Sequence, residues 1–334
     1  MAKITLKDLA DQLHLSPSTV SRALSNHSAI SLETKIRVRK LAAELNYQPN
    51  VLAQGLQKKR ITAVGVLVPE IRHYFFSAAI SGIEEIMYDA GFTIMVCQSW
   101  EDNERENNSL EALVSHQIAG LLVSVSEKTR NSAPFQAVLE QGIPMVFFDR
   151  ILDDIETDCV VVDDFNGAVE AMEYLIQSGY KQIAYIGGPK HLKINQDRLR
   201  GYKTVLRRYG LPVRKDWIVT AGLNEKDGEN AARQLLRNRL PKAVFCINDP
   251  VAMGVYTVFR ENHIRIPLDV AVVGFSDDPI GRLTHPSLTT MSQPATEMGK
   301  TAAKLLLEQI SRSGDDFFPR TVTLKTRLII REST

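Results

Sequence analysis

Residues 6–26 read LKDLADQLHLSPSTVSRALSN, and the breaks in that stretch decide what the first 48 residues can be. Thr5-Leu6-Lys7-Asp8 has the form of a capping box, in which a hydroxyl and a carboxylate three residues apart satisfy each other's backbone N–H groups, so a helix starts at Leu6. Leu6, Leu9, Ala10 and Leu13 then recur at helical spacing and make one apolar stripe over two turns. His14-Leu15-Ser16 breaks the stripe. Ser16-Pro17 restarts a helix, with serine as N-cap and proline at the first helical position, where its missing N–H costs nothing. This second helix runs to about Leu24, with Val20, Ala23 and Leu24 turned inward, and Asn26-His27-Ser28 ends it. Ser31 caps a third helix from Leu32 to Leu45, with Val38, Leu41, Ala42 and Leu45 on its inner side. Two helices joined by a turn of about three residues have the spacing of a helix-turn-helix, whose second helix enters the major groove of DNA. An ordinary three-helix bundle shows the same stripes, so the pattern alone leaves both readings open.

On the DNA-binding reading, Pro17, Ser18, Ser21 and Arg22 face base edges, and the Arg22 fork suits guanine O6 and N7. Thr5, Thr19, Asn26, Thr34 and Tyr47 are candidates for phosphate contacts, which set register rather than sequence. Charge agrees. Residues 1–60 hold ten Lys/Arg against four Asp/Glu, a net of +6, while the remainder carries −5. A basic head on an acidic body implies a polyanionic partner for the head only. Tyr47-Gln48-Pro49-Asn50 stops the third helix, and Asn50 can cap a short segment, Val51 to Lys58, that ends in Lys58-Lys59-Arg60. That segment is short and contains Gly55, so it is expected to need a partner such as DNA to become helical.

Taken together, LKDLADQLHLSPSTVSRALSN (6–26), AELNYQPNVLAQGL (43–56) and the chain that follows resemble the LacI/GalR family of bacterial repressors along essentially their whole length. The resemblance implies a homodimer that binds a near-palindromic operator in double-stranded DNA, with Asn50–Lys58 folding there as a hinge helix. It further implies that Ala53 lets two hinge helices approach, and that Leu56 wedges between base pairs from the minor groove. It divides the chain into a helix-turn-helix domain (1–48), a hinge (49–60) and a sensor domain (61–334). The sensor should resemble periplasmic sugar-binding proteins: lobe one at about 61–161 and 293–322, lobe two at about 162–290 and 323–334, with three crossings between them.

The residues of the body agree with that architecture independently. From Thr62 onward, apolar β-rich runs alternate with amphipathic helical stretches. Strands are expected at 63–68, 93–97, 120–123, 144–148, 159–162, 183–186, 218–221, 243–247 and 270–274. Short continuous apolar runs separated by helices indicate parallel sheet covered on both faces. So many strands exceed one comfortable sheet, which gives an α/β sensor of two doubly wound parallel-sheet lobes behind an all-α head.

Ligands of open α/β sheets bind outside the carboxyl ends of the strands. The residues there are Glu70, Ser124, Asp149-Arg150, Asp163-Asp164, Asn248-Asp249 and Ser276-Asp277, of which Asp164 and Asp249 can equally cap the following helix. No nucleotide-binding glycine motif, GxSxG elbow or metal-ligand spacing occurs, so a binding cleft without catalysis, cofactor or metal is expected. Matching family pocket positions one at a time implicates Phe75, Phe76, Ser124, Asp149, Arg198, Asn248, Asp249 and Gln293, although core packing claims at least one of the two phenylalanines. Two positions depart from the family pattern. Leu223 stands where many members carry a stacking aromatic ring, and Ser276, followed by Asp277, stands where an acidic residue often follows a glycine-aromatic pair. The resemblance implies a sugar or sugar derivative as effector, acting on carbohydrate-related genes.

No apolar run is long enough to cross a bilayer, and charges interrupt the N-terminus where a signal peptide needs an apolar core. The three cysteines, Cys97, Cys159 and Cys246, lie far apart inside apolar runs, as buried thiols of a cytoplasmic protein would. A secreted sugar-binding protein would account for the body but not for the head. A regulator whose sensor answers a protein partner instead of a metabolite fits the same sequence.

Overall fold

A computed structural model describes residues 4–45, 47, 62–237, 240–312 and 317–334. The expected hinge, with Asn50, Ala53 and Leu56, lies outside these residues. Contacts divide the chain into two compact units, 1–61 and 62–334.

The head consists of α1 (Leu6–Leu13), α2 (Pro17–Leu24) and α3 (Leu32–Glu44). Each begins where its cap dictates. Thr5 and Asp8 form the reciprocal capping box, and the hydroxyls of Ser16 and Ser31 accept from the backbone N–H of Thr19 and Thr34. The hydrogen bonds from Thr5 hold the Asp8 carboxyl below its ordinary range. Leu9, Ala10, Val20, Ala23, Val38 and Ala42 form the small core, flanked by half-buried Leu24, Leu41, Leu45 and Tyr47.

In the body, β1 (Ala63–Val68), β2 (Thr93–Gln98), β3 (Leu121–Val123), β4 (Met145–Phe148), β5 (Asp158–Val162) and β11 (Thr321–Leu324) form one sheet, in the order β11-β5-β4-β3-β1-β2. All its pairings are parallel. The second sheet orders β12 (Arg327–Ile329), β10 (Thr289–Ser292), β9 (Ala271–Ser276), β8 (Ala243–Cys246), β6 (Ile183–Gly187) and β7 (Ile218–Thr220). Its edge strand β12 runs antiparallel to β10, so this lobe is not purely parallel as expected. The last strand of the first sheet reaches Leu324, which places the final crossing after 324 rather than after 322.

Helices cover both faces. In chain order these are α4 (Tyr74–Asp89), α5 (Asn103–Ser115), α6 (Ala133–Glu140), α7 (Asp164–Gln177), α8 (Lys193–Arg208), α9 (Glu225–Leu236), α10 (Asp249–Glu261), α11 (Ile280–Leu283) and α12 (Ala295–Ser311). Alternate residues of each strand feed opposite cores, as the two-residue period of a strand demands. Val64, Val66, Val146 and Phe148 face the core that includes Ile83 and Met298. Leu67, Met145 and Phe147 face the core that includes Leu110 and Phe135. The second lobe is built around Tyr185, Tyr202, Phe245 and Phe259.

Strand order sets the location of the cleft. In each lobe the chain winds one way from the first strand and then reverses, at β1/β3 in one and at β6/β8 in the other. At such a switch point the adjoining loops diverge and leave a crevice beyond the strand ends.

Candidate functional site

In the head, Pro17, Ser18 and Arg22 are exposed on α2, while Thr19 and Ser21 are half-buried. Ser18 Oγ and Thr19 Oγ1 lie 2.9 and 2.8 Å from the Ser16 hydroxyl, so the cap organises the start of this helix as a hydrogen-bonded cluster. Thr5 is committed to Asp8, with its hydroxyl 2.7 Å from Oδ2. Thr34 caps against Ser31 at 2.9 Å. Asn26 is exposed with a left-handed φ of 59°, and Tyr47 rests half-buried against the head core. The expected base-facing and phosphate-facing residues therefore lie on an ordered three-helix scaffold, with the hinge residues beyond its described part.

In the body, eight of the eleven expected effector residues converge on one cavity between the lobes, of about 50 Å³. Phe75, Phe76, Asp149 and Gln293 line it together with Arg198, Leu223, Asn248 and Ser276. Phe75 and Phe76 open α4 and meet edge to face, ring centres 5.3 Å apart. Phe76 is buried and Phe75 half-buried, and both pack on the first-lobe core while lining the cleft.

Three expected residues are elsewhere. Ser124 is buried at the end of β3, with its hydroxyl unpartnered among the described residues. Asp249 lies fully buried in the first turn of α10, where it accepts from Thr290 Oγ1 at 2.6 Å and from the Asp278 backbone N–H at 2.7 Å. Burial pushes its carboxyl up to about 7. Asp277 turns away to pair with Arg331 at 2.5 Å and Arg282 at 3.0 Å. Arg150, read as a strand-end residue, also lines the cavity, and the lining residues that sequence reasoning missed are His73, Ile194, Pro250 and Asp278.

The cleft's electrostatics are organised around two buried guanidinium groups. Arg198 gives Nε and Nη2 to Asp164 Oδ1, at 2.7 and 2.6 Å, and Nη1 to the Ile247 carbonyl, while its carbon sits 3.6 Å from the centre of the Phe275 ring. Arg150 pairs with Glu101 at 2.7 Å and lies over Phe76, but its Nε has no hydrogen-bond partner. Gln293 Nε2 is the second unpartnered buried donor at the cavity. A buried donor left unpaired costs about 1–3 kcal/mol, so both are poised for an acceptor from a ligand or water.

Asp149 sits beside Arg150 in a left-handed backbone conformation, φ 62°. Burial raises its carboxyl to about 6, with Asp164 and Glu101 pushing the same way and Arg150 and Arg198 opposing. Burial likewise lowers the His73 imidazole at the cavity rim, against the opposing pull of Glu70. Asn248 spends its side chain locally, capping α10 through Oδ1 to the Val251 N–H and donating Nδ2 to the Leu223 carbonyl at 2.8 Å. Among the described residues no group of three His, Cys, Asp or Glu side chains is placed to hold a metal ion, and no helix is long and apolar enough to cross a membrane.

Comparison with known proteins bears on both units. A family model described as bacterial regulatory proteins, lacI family, matches residues 5–50, and one for a periplasmic binding protein-like domain matches 172–334. The HTH-type transcriptional repressor CytR of Escherichia coli (strain K12) is 32% identical over 334 residues, covering 99% of this chain and 96% of its own. The HTH-type transcriptional repressor PurR of Histophilus somni (strain 2336) is 30% identical over 330 residues, 98% of each. Among solved structures, a transcriptional regulator CelR–cellobiose complex superposes with a TM-score of 0.76 at 27% identity, covering 99% of this chain and 100% of that one.

Proposed function

The chain belongs to the LacI family of bacterial regulatory proteins and is an HTH-type, DNA-binding transcriptional repressor with an effector-controlled sensor; from that premise we propose that its effector is an uncharged, hydroxyl-rich molecule, a sugar or sugar derivative without phosphate, bound between the two lobes. The observation that carries this reading is the internal neutralisation of both cleft arginines. Each Arg198 nitrogen already holds a protein acceptor, Asp164 or Ile247, and Arg150 is paired with Glu101. With Asp149 and Asp278 added, carboxylates outnumber guanidiniums around the cavity, a field that opposes an anion. The unpartnered Arg150 Nε and Gln293 Nε2 suit hydroxyl oxygens, and Asp149 suits a hydroxyl donor. The cellobiose held by CelR is a ligand of this kind.

The cavity holds little more than a water or two in its present form. Effector entry therefore requires the lobes to part, and a ligand that prefers one lobe arrangement shifts the population between them. The head acts from a homodimer, with Arg22, Ser18, Ser21 and Pro17 reading half-sites in adjacent major grooves and Thr5, Thr19, Asn26, Thr34 and Tyr47 placing phosphates. Asn50, Ala53 and Leu56 serve as the hinge in the minor groove. The test is operator binding measured against a panel of neutral mono- and disaccharides and their phosphates. A response confined to neutral compounds agrees with the reading, and a response confined to phosphorylated ones contradicts it.

A further inference from the structure

Outside the effector cavity, the loops that follow β3 and β6 meet across the rim of the cleft. In the first lobe, Arg130 Nη1 donates to the carbonyls of Glu127 and Thr129, at 2.9 and 3.0 Å, which fixes the guanidinium on its own loop. The same Nη1 lies 2.5 Å from His191 Nε2 of the second lobe, so its two N–H groups are shared among three acceptors. An arginine carries no acceptor, so His191 must accept here, and an imidazole accepts at Nε2 only when it is neutral with its proton on Nδ1. A proton added to Nε2 would remove the acceptor and set two cations against each other at hydrogen-bond distance.

We propose that the Arg130–His191 hydrogen bond is a proton-sensitive latch, which holds the lobes together while His191 is neutral and releases them when it is protonated.

The surroundings of His191 support this assignment. From the first lobe it faces Arg130 and, farther off, Arg150, together with Glu127; Lys190 and Lys193 flank it on its own segment. Lys193 itself makes a looser bridge of 3.7 Å to Asp153 across the same gap. Burial and then the Arg130 charge hold the imidazole below its ordinary 6.5, with a hydrogen bond to the Glu127 backbone pulling the other way. Parting the lobes removes the Arg130 charge and the burial together, so the open form binds the proton more readily than the closed one. By linkage, closure is fully favoured above about pH 6.5 and is lost as pH falls below it, by up to roughly tenfold in the closed-to-open ratio per pH unit until the closed-form value is reached. The latch acts on the lobe equilibrium itself and needs neither effector nor DNA.

The experiment is a distance measurement by pulsed electron paramagnetic resonance on the full chain. Spin labels are placed at Asn103→Cys on the first lobe and Lys226→Cys on the second, in a Cys97→Ser background. Between pH 7.5 and 5.5 the long-distance population should grow in this parent. It should stay constant in His191→Gln, whose amide oxygen can accept from Arg130 but gains no proton. An equal acid response in His191→Gln, or none in the parent, overturns the proposal. As a second measurement, the His191 ring resonance should titrate below 6.5 in the native chain and move upward in Arg130→Ala; titration at or above 6.5 with Arg130 present also overturns it.

Discussion

At the scale of single residues, the cleft is governed by charges that are buried and already paired. Arg198 was legible as a pocket residue through the family resemblance, which matches it to a pocket position. Its partner Asp164 was legible only as a strand-end carboxylate with an even claim to be a helix cap, since residues 34 apart give no sign of pairing. The pairing changes what substitution does. Arg198→Ala strands a buried carboxylate and should cost about 3–5 kcal/mol of sensor stability in a urea melt. The double change Arg198→Met with Asp164→Leu should recover most of that loss while leaving effector response abolished, which separates folding from binding. Asp149 gives a pH prediction. Its carboxyl is raised from 3.8 to about 6, so the folded sensor holds that proton more tightly than the unfolded chain. This group therefore adds stability below pH 4, and the addition is lost as pH rises towards 6, by up to roughly 1.4 kcal/mol per unit. Asp149→Asn should accordingly raise the melting temperature at pH 8 and have little effect at pH 4; an equal gain at both would contradict the assignment. On the head, Arg22→Ala should weaken specific operator binding by roughly 1–3 kcal/mol and relax preference at one base pair per half-site. Equal loss on random DNA, measured at the same salt, would remove Arg22 from base readout.

At the scale of elements, the sequence was most readable where local chemistry acts alone. The three head helices start where Thr5, Ser16 and Ser31 cap them, and the nine strands with continuous apolar runs stand within a residue or two of their expected places. The three strands that escaped notice explain why. β10 reads TTMS, which is polar in composition yet buried, because hydrogen bonds to Asp249, Arg331 and Ser333 satisfy its threonines. β11 and β12 are short edge strands of TVTL and RLI, half-exposed and without an apolar run. Helix packing was illegible for a different reason, since close approach is visible only once two elements are side by side. Each lobe brings one helix pair together through reciprocal glycines: Gly82 and Gly299 between α4 and α12, Gly228 and Gly254 between α9 and α10. A Cβ at Gly254 would stand 2.0 Å from the Glu225 carbonyl oxygen, and one at Gly299 would stand 2.0 Å from that of Ala79. The obstacle is backbone, which cannot swing aside as a side chain can. Gly254→Ala should therefore destabilise the sensor by at least about 1–3 kcal/mol despite alanine's better helix propensity, as read by thermal unfolding. A neutral or stabilising result would mean that the two helices can separate freely.

At the scale of the whole molecule, a basic reader is joined to an acidic two-lobed sensor, each legible from its own stretch of sequence. Head and hinge motifs carried the family resemblance, and the alternation of apolar runs carried the architecture. Asp149, Arg150, Asn248 and Ser276 followed from strand ends, and Phe75, Phe76, Arg198, Leu223 and Gln293 from the family resemblance. His73 and Asp278 did not, because each lies past the end of its strand, beyond Val68 and Ser276, and enters the cavity by the path of its loop. The central claim is sequence-specific DNA recognition by a symmetric dimer. The most direct measurement is selection of bound duplexes from a random pool by the purified full chain, at a stated salt concentration, with and without the panel of neutral sugars and sugar phosphates. The account predicts enrichment of one twofold-symmetric site whose half-sites are about a helical turn apart. An unenriched pool under every condition, or a site without twofold symmetry, would contradict it.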